Sequence, residues 1–191
     1  MSAIEQAIRL TEEEYLQSEE NSETKREYID GCVYPMAGAG YNHNCISANI
    51  SRKFGYHLEG TPCATFIADM KLQIGKDYVY PDVFVDCSAM TGNDSFSTSP
   101  VIIVEVLSKA TRKTDLTVKL LRYINLPSLQ EYVLIEQDFV SVQVLRRANH
   151  WRSEYFFLGE LVTFTSIGLT LSVAEIYDRV DNADMREFRQ L

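Results

Sequence analysis

Cysteine is scarce in this chain and never paired locally. The 191 residues hold four, at positions 32, 45, 63 and 87, and no two form a C-x-x-C pair. That spacing argues against a zinc site or a disulfide framework and predicts reduced thiols. Basic residues are also short: 18 Lys and Arg stand against 27 Asp and Glu, a net charge of −9. A broad basic surface for tracking phosphates is therefore not expected, although the count leaves room for a small local patch. No apolar run approaches the roughly 20 residues that a membrane-spanning helix needs. The opening MSAIEQAIRLTEEEY is acidic and amphipathic, without the basic start and apolar middle of a secretory signal. A soluble, cytoplasmic protein with no membrane partner is expected. Internal repeats, low-complexity tracts and linkers are absent too, so residues 1–191 are expected to fold as one domain.

What is present is an ordinary globular mix, 46% hydrophobic and 24% charged, long enough for a real core. TEEEY places Thr11 as an N-cap with Glu14 as its capping-box partner. REYIDGCVYPM reads as two short strands around an Asp30-Gly31 turn. In YNHNCISANISRKFGYHLEG, Ile46, Ile50, Phe54 and Leu58 recur on one helical face, and Gly60 and Pro62 end the helix. MKLQI, GKD and YVYPDVFVD read as a hairpin, and SAMTGNDSFSTSP as a loop. VIIVEVLS is a short buried strand. Ser108 and Thr111 are expected to end it and to start a helix, TRKTDLTVKLLRYINL, with Leu116, Leu120 and Ile124 on one face. Asp115, Lys119 and Tyr123 follow one another a turn apart on the other. EYVLIE, FVSVQVLRR, HWRSEYFFL and LVTF read as strands and SVAEIYDRV as a short helix. The fold class is mixed α/β.

Two acids stand out because apolar residues surround them: Asp82 in VYPDVFV and Glu105 in VIIVEVL. A buried carboxylate is costly unless it is paired or binds a metal. On neighbouring strands, about 4.8 Å apart, the two carboxylates would be close enough to share one cation. Two hard oxygen ligands, completed by waters and a phosphate oxygen, suit Mg²⁺, with Mn²⁺ as a substitute. The plainer reading has Asp82 capping a bend after Pro81 and Glu105 in an ion pair with a lysine.

The ordered motifs LTEEEY, REYIDG, His43, YPDVFV, PVIIVEVLS, TRKTDLTVKLLRY and EYVLIE resemble those of the Uma2 family, formerly DUF820, within the PD-(D/E)xK nuclease superfamily. The resemblance spans roughly residues 10 to 177 and rests on the order of the set, since each motif alone is weak. It implies a restriction-endonuclease-like fold, a mixed central sheet flanked by helices with additional C-terminal strands. It also implies metal-dependent cleavage of nucleic acid, with DNA as the expected substrate and a homodimer as the assembly. Asp82 and Glu105 would be the metal ligands. The superfamily lysine belongs two residues after the glutamate, where this chain has Leu107. The resemblance implies a migrated lysine, for which Lys119 is the candidate and Lys109 the runner-up. Glu27 and His43 complete the expected catalytic set. On residue type alone, Glu27 is a solvent-facing charge and His43 a capping or packing residue. Asp69 reads as a cap or edge residue, and the aromatics of EYVLIE and SEYFFL read as core.

Two other functions fit the same residues. A catalytically silent binding or assembly protein would keep the fold, and the charge of −9 and Leu107 favour it. A metal-dependent hydrolase of another phosphate ester is the third reading.

Overall fold

The computed structural model describes residues 8–36, 38–109, 112 and 115–190. β1 (Ile8–Arg9) leads into α1 (Glu12–Glu19), closed at its start by the reciprocal Thr11–Glu14 capping box. β2 (Arg26–Ile29) and β3 (Cys32–Pro35) pair around Asp30 and Gly31, both in the left-handed region that a two-residue hairpin turn needs. In α2 (Tyr41–His57), Ile46, Ile50 and Phe54 are fully buried, as their spacing predicts. Then come β4 (Ala64–Ile67), β5 (Lys71–Ile74), β6 (Asp77–Val79), β7 (Val83–Asp86), β8 (Phe96–Ser97) and β9 (Pro100–Leu107). A π-helical turn (Asp115–Lys119) runs straight into α3 (Leu120–Tyr123). β10 (Glu131–Glu136), β11 (Val142–Arg146), β12 (Ser153–Phe156), β13 (Leu161–Phe164) and β14 (Leu169–Ser172) precede two short helices, α4 (Val173–Ile176) and α5 (Ala183–Phe188).

The strands form two six-stranded sheets, ordered β1-β3-β2-β6-β5-β8 and β12-β11-β10-β9-β7-β4, and a separate β13-β14 pair. Within the second sheet β9 and β10 are parallel and all other pairs antiparallel. Parallel neighbours need a crossover, and the π turn and α3 lie in it. One face of this sheet packs Val104, Val106, Val133 and Val144 against α2. The opposite face packs Ile103, Leu107, Tyr132 and Leu134 against Tyr123 and Leu126, with Ile29, Leu72 and Val79 of the first sheet alongside.

The structure departs from the sequence pattern in several places. YVYPDVFVD is not one strand: it breaks at Tyr80–Asp82 and passes from the first sheet to the second. Pro81 has no amide hydrogen for a ladder, so the break falls there. The expected α-helix is a π turn over Asp115–Lys119; Thr111, its expected start, lies outside the described residues. The HWRSEYFFL strand begins only at Ser153, because His150 and Trp151 have positive φ and turn the chain. Tyr155 and Phe157 are exposed rather than core, since β12 is an edge strand. β8, β14 and α5 occupy stretches with little periodic signal.

Two of the cysteines are paired, contrary to expectation. β4 and β7 are antiparallel with Ala64 opposite Asp86, so Cys63 and Cys87 meet one residue further along. They form a disulfide, with Cα atoms 3.9 Å apart across a separation of 24 residues, while Cys32 and Cys45 are free. The expectation of reduced thiols fails here because a separation of 24 residues carries no sequence signal; only the strand register joins the pair.

A thiol titration of the unfolded, unreduced protein should therefore find two reactive cysteines. Cys87→Ser should cost about 2–4 kcal/mol of unfolding free energy, measured in denaturant, by freeing the closed loop in the unfolded chain.

Candidate active site

The seam between the two sheets gathers charge. Glu105 projects from β9 toward the crossover and is only 3% exposed. Its Oε1 accepts hydrogen bonds from the Tyr123 hydroxyl at 2.8 Å and from Lys119 Nζ at 3.3 Å. Its Oε2 lies 3.4 Å from the backbone N of Asp82, which donates to it. Asp82 answers in kind: its Oδ2 accepts the Val106 N–H at 2.7 Å. Each carboxylate is thus tied to the other's backbone segment, which fixes both at one end of β9. His43, in the first turn of α2, places Nε2 3.2 Å from the same Asp82 oxygen. Its Nδ1 is buried and makes no hydrogen bond among the described residues.

Lys119 is buried at the centre. Its Nζ lies 2.9 Å from Glu27, 3.3 Å from Glu105 and 3.4 Å from Asp115. Glu27 comes from β2 of the first sheet, and its Oε1 also accepts the Tyr80 N–H at 3.1 Å. Burial alone would lower the lysine's pKa, but Glu105, Glu27 and Asp115 more than offset it, so the ammonium is held well above its usual range. Burial pushes Glu105 well above the ordinary carboxylate range; Lys119 opposes this, and Asp115, Asp82 and Glu27 reinforce it. The Tyr123 phenol is raised by burial and by Glu105, so it stays neutral and donates.

All five expected site residues, Asp82, Glu105, Lys119, Glu27 and His43, therefore meet in one place. Glu27 is buried rather than solvent-facing, because β2 turns it inward to the lysine. Asp69 is an exposed edge residue paired with Lys25, and Lys109 is exposed. Two members stand outside the catalytic set expected from the sequence, Asp115 there being only an i,i+4 ion-pair partner of Lys119. Tyr123 orients Glu105, and Asp115 is a further carboxylate on Lys119. The D-x-x-x-K-x-x-x-Y spacing was the available signal, since it puts all three on one helical face.

Among the described residues no group of three or more His, Cys, Asp or Glu is arranged as a metal cage. The donor set fits a sparser site. Asp82 and Glu105 are hard oxygen donors side by side, and Mg²⁺ takes one or two carboxylates while keeping waters and phosphate oxygens. The charge also fits: three carboxylates surround one buried ammonium and Asp82 adds a fourth beside Glu105, so a dication reduces the excess negative charge.

Two outcomes follow for stability. A carboxylate whose folded pKa is raised stabilises the fold most below its unfolded value and loses that contribution as pH rises through the folded value. Glu105→Gln should therefore match or exceed the wild-type thermal midpoint at neutral pH, with each kcal/mol gained worth about 2–4 °C. The advantage should shrink on acidification toward pH 4.5. Lys119→Ala should do the opposite at neutral pH, costing about 3–5 kcal/mol in urea denaturation by leaving buried carboxylates uncompensated.

A family model described as "Uma2: Putative restriction endonuclease" matches residues 12–174. Two uncharacterized proteins of Synechocystis sp. (strain ATCC 27184 / PCC 6803 / Kazusa) are similar in sequence. Protein slr1290 is 36% identical over 174 residues, which cover 88% of this chain and 92% of that protein. Protein sll1609 is 40% identical over 133 residues, covering 67% and 75%. In three dimensions the chain is similar to the crystal structure of a "putative nuclease belonging to DUF820" from Anabaena variabilis ATCC 29413. The TM-score is 0.75 at 22% identity, over 88% of this chain and 98% of that one. The restriction-endonuclease-like fold expected from the motifs is borne out, and no helix among the described residues is long and apolar enough to cross a membrane. With its family model matched over most of its length, the chain belongs to the Uma2 family.

Proposed function

We propose that the protein is a divalent-metal-dependent endonuclease, hydrolysing phosphodiester bonds of DNA with Mg²⁺, for which Mn²⁺ substitutes. The observation that carries this reading is the reciprocal lock of Asp82 and Glu105 beside a buried lysine. Family membership supports nuclease chemistry, and enzymes of this type generally use a divalent metal.

Asp82 and Glu105 would hold the cation. Bound there, a divalent ion polarises the phosphoryl group and acidifies a water. Lys119 keeps its proton and offers a hydrogen-bond donor where negative charge builds on the phosphate. Glu27 and Asp115 aim that ammonium from either side. Tyr123 fixes one oxygen of Glu105, leaving the other turned toward Asp82. His43 steadies Asp82 from α2. A lysine two residues after Glu105 is therefore not required: the crossover delivers the ammonium to the acids at hydrogen-bonding distance. A homodimer acting on DNA is the assembly that goes with this reading.

The chain's net charge of −9 favours a second reading, a silent binding protein that keeps the site as a structural ion-pair cluster. The two separate cleanly. With Mg²⁺ or Mn²⁺, wild type should cut DNA and chelator should stop it. Asp82→Ala should lose activity by at least 10²-fold while keeping its circular dichroism, and Lys119→Met should lose about 10²–10³-fold. A crystal soaked in Mn²⁺ should show an anomalous peak between Asp82 and Glu105. Equal behaviour of wild type and Asp82→Ala on DNA and RNA, with no peak, would leave the silent reading.

A further inference from the structure

The strand register ties the carboxylates to a cavity beside them. Glu105 pairs with Leu134, Leu134 with Gln143, and Gln143 with Tyr155. Directly paired residues present their side chains on one sheet face, so these four form a row across β9, β10, β11 and β12. Strands lie about 4.8 Å apart, so Gln143 is roughly 10 Å from Glu105 along the row. A cavity of about 260 Å³ opens over this part of the sheet. Its floor is apolar, formed by Leu107 and Leu134, with Leu116 of the π turn above. Phe139 and Tyr155 stand at its sides, and both rings are about half exposed, at 45% and 54%.

The polar lining comes from Arg112, Glu136, Ser141 and Gln143. Arg112 pairs with Glu136 and stands 6.0 Å from the Phe139 ring centroid. Gln143 Nε2 donates to Ser153 Oγ at 2.8 Å, while its carbonyl oxygen takes no hydrogen bond among the described residues. The ion pair brings no net charge to this spot, so a phosphate gains little there. An apolar floor, two half-exposed aromatic side chains and an amide with an accepting oxygen suit a flat heteroaromatic group with a polar edge.

We infer that this cavity takes an unstacked nucleobase of the substrate strand, held by Tyr155 and Phe139 and read at its edge by Gln143. The inference rests on the nuclease reading, because the row places the cavity about three stacked-nucleotide rises from the acids. It makes the substrate a strand with at least one base free of its helix: single-stranded, frayed or flipped. It also answers how a chain of charge −9 holds nucleic acid without a basic surface. Stacking on aromatic rings needs no positive field and is tolerant of sequence.

The test is binding of a single-stranded oligodeoxynucleotide carrying 2-aminopurine, in Ca²⁺, a hard cation for the same oxygen donors. Wild type should change the fluorescence when the probe occupies one position of the strand, and an abasic site there should weaken binding. Tyr155→Ala and Phe139→Ala should each weaken it about 5- to 150-fold, and Tyr155→Phe should keep it. Variants that bind like wild type, indifference to the abasic site, or no binding by wild type would each overturn the inference. So would a wild-type dimer that becomes a monomer on Tyr155→Ala, which would give this surface to a second copy. Cleavage of the same strand in Mn²⁺ separates the two readings. Unchanged cutting by the variants rejects the cavity alone, whereas no cutting by any form rejects the nuclease reading with it.

Discussion

Lys119 is the group on which the centre of the molecule depends. Glu27, Glu105 and Asp115 all lie within 3.4 Å of its ammonium, and all are buried. None of the three is tolerable in such a place without a counter-charge. The three come from different parts of the chain: a strand of the first sheet, the central strand of the second, and the crossover. One side chain therefore ties both sheets and their connection together, and it does so electrostatically rather than by packing. The surrounding apolar clusters keep water out, which strengthens the attraction and also sharpens the cost of any mismatch.

The break at Pro81 completes the arrangement. A proline that ends one ladder lets the chain change sheets, and Asp82 lands where the sheets meet. Val83 pairs with Val104 in the antiparallel ladder, so Asp82, one residue earlier, stands opposite Glu105 just beyond it, and side-chain-to-backbone hydrogen bonds join the two segments. The acidic pair is thus set by the register of β7 on β9, and the Asp82 amide, outside the ladder, donates to Glu105 instead. The lock also explains how Asp82, only partly buried, is held as firmly as Glu105.

The legible parts of the sequence were those with local physics. The Thr11 cap, the Asp30-Gly31 turn and the Ile46, Ile50, Phe54 stripe follow from interactions within a few residues. Glu105 announced itself by being a charge among β-branched residues, and Lys119 by family resemblance and helical spacing. The rest depended on contacts distant in sequence. The Cys63–Cys87 bond exists because of strand register, the inward turn of Glu27 because of a lysine 92 positions away in another element, and the role of Tyr123 because the crossover folds over β9. The π turn was hidden for another reason: over so few residues its side-chain pattern does not differ from that of an α-helix.

Position 107 is where the absence of a lysine from β9 leaves its mark. On a strand, residues two apart face the same way, so whatever stands there is a neighbour of Glu105 by geometry alone. In the superfamily pattern that neighbour is the cation, and the sheet beside the acid is then hydrophilic. Here the cation hangs from the crossover, and the vacated place is an almost fully buried leucine. An apolar side chain, in place of a charge, therefore stands one same-face position along β9 from Glu105. The ammonium and the apolar surface beside Glu105 thus come from different backbones, the crossover and β9.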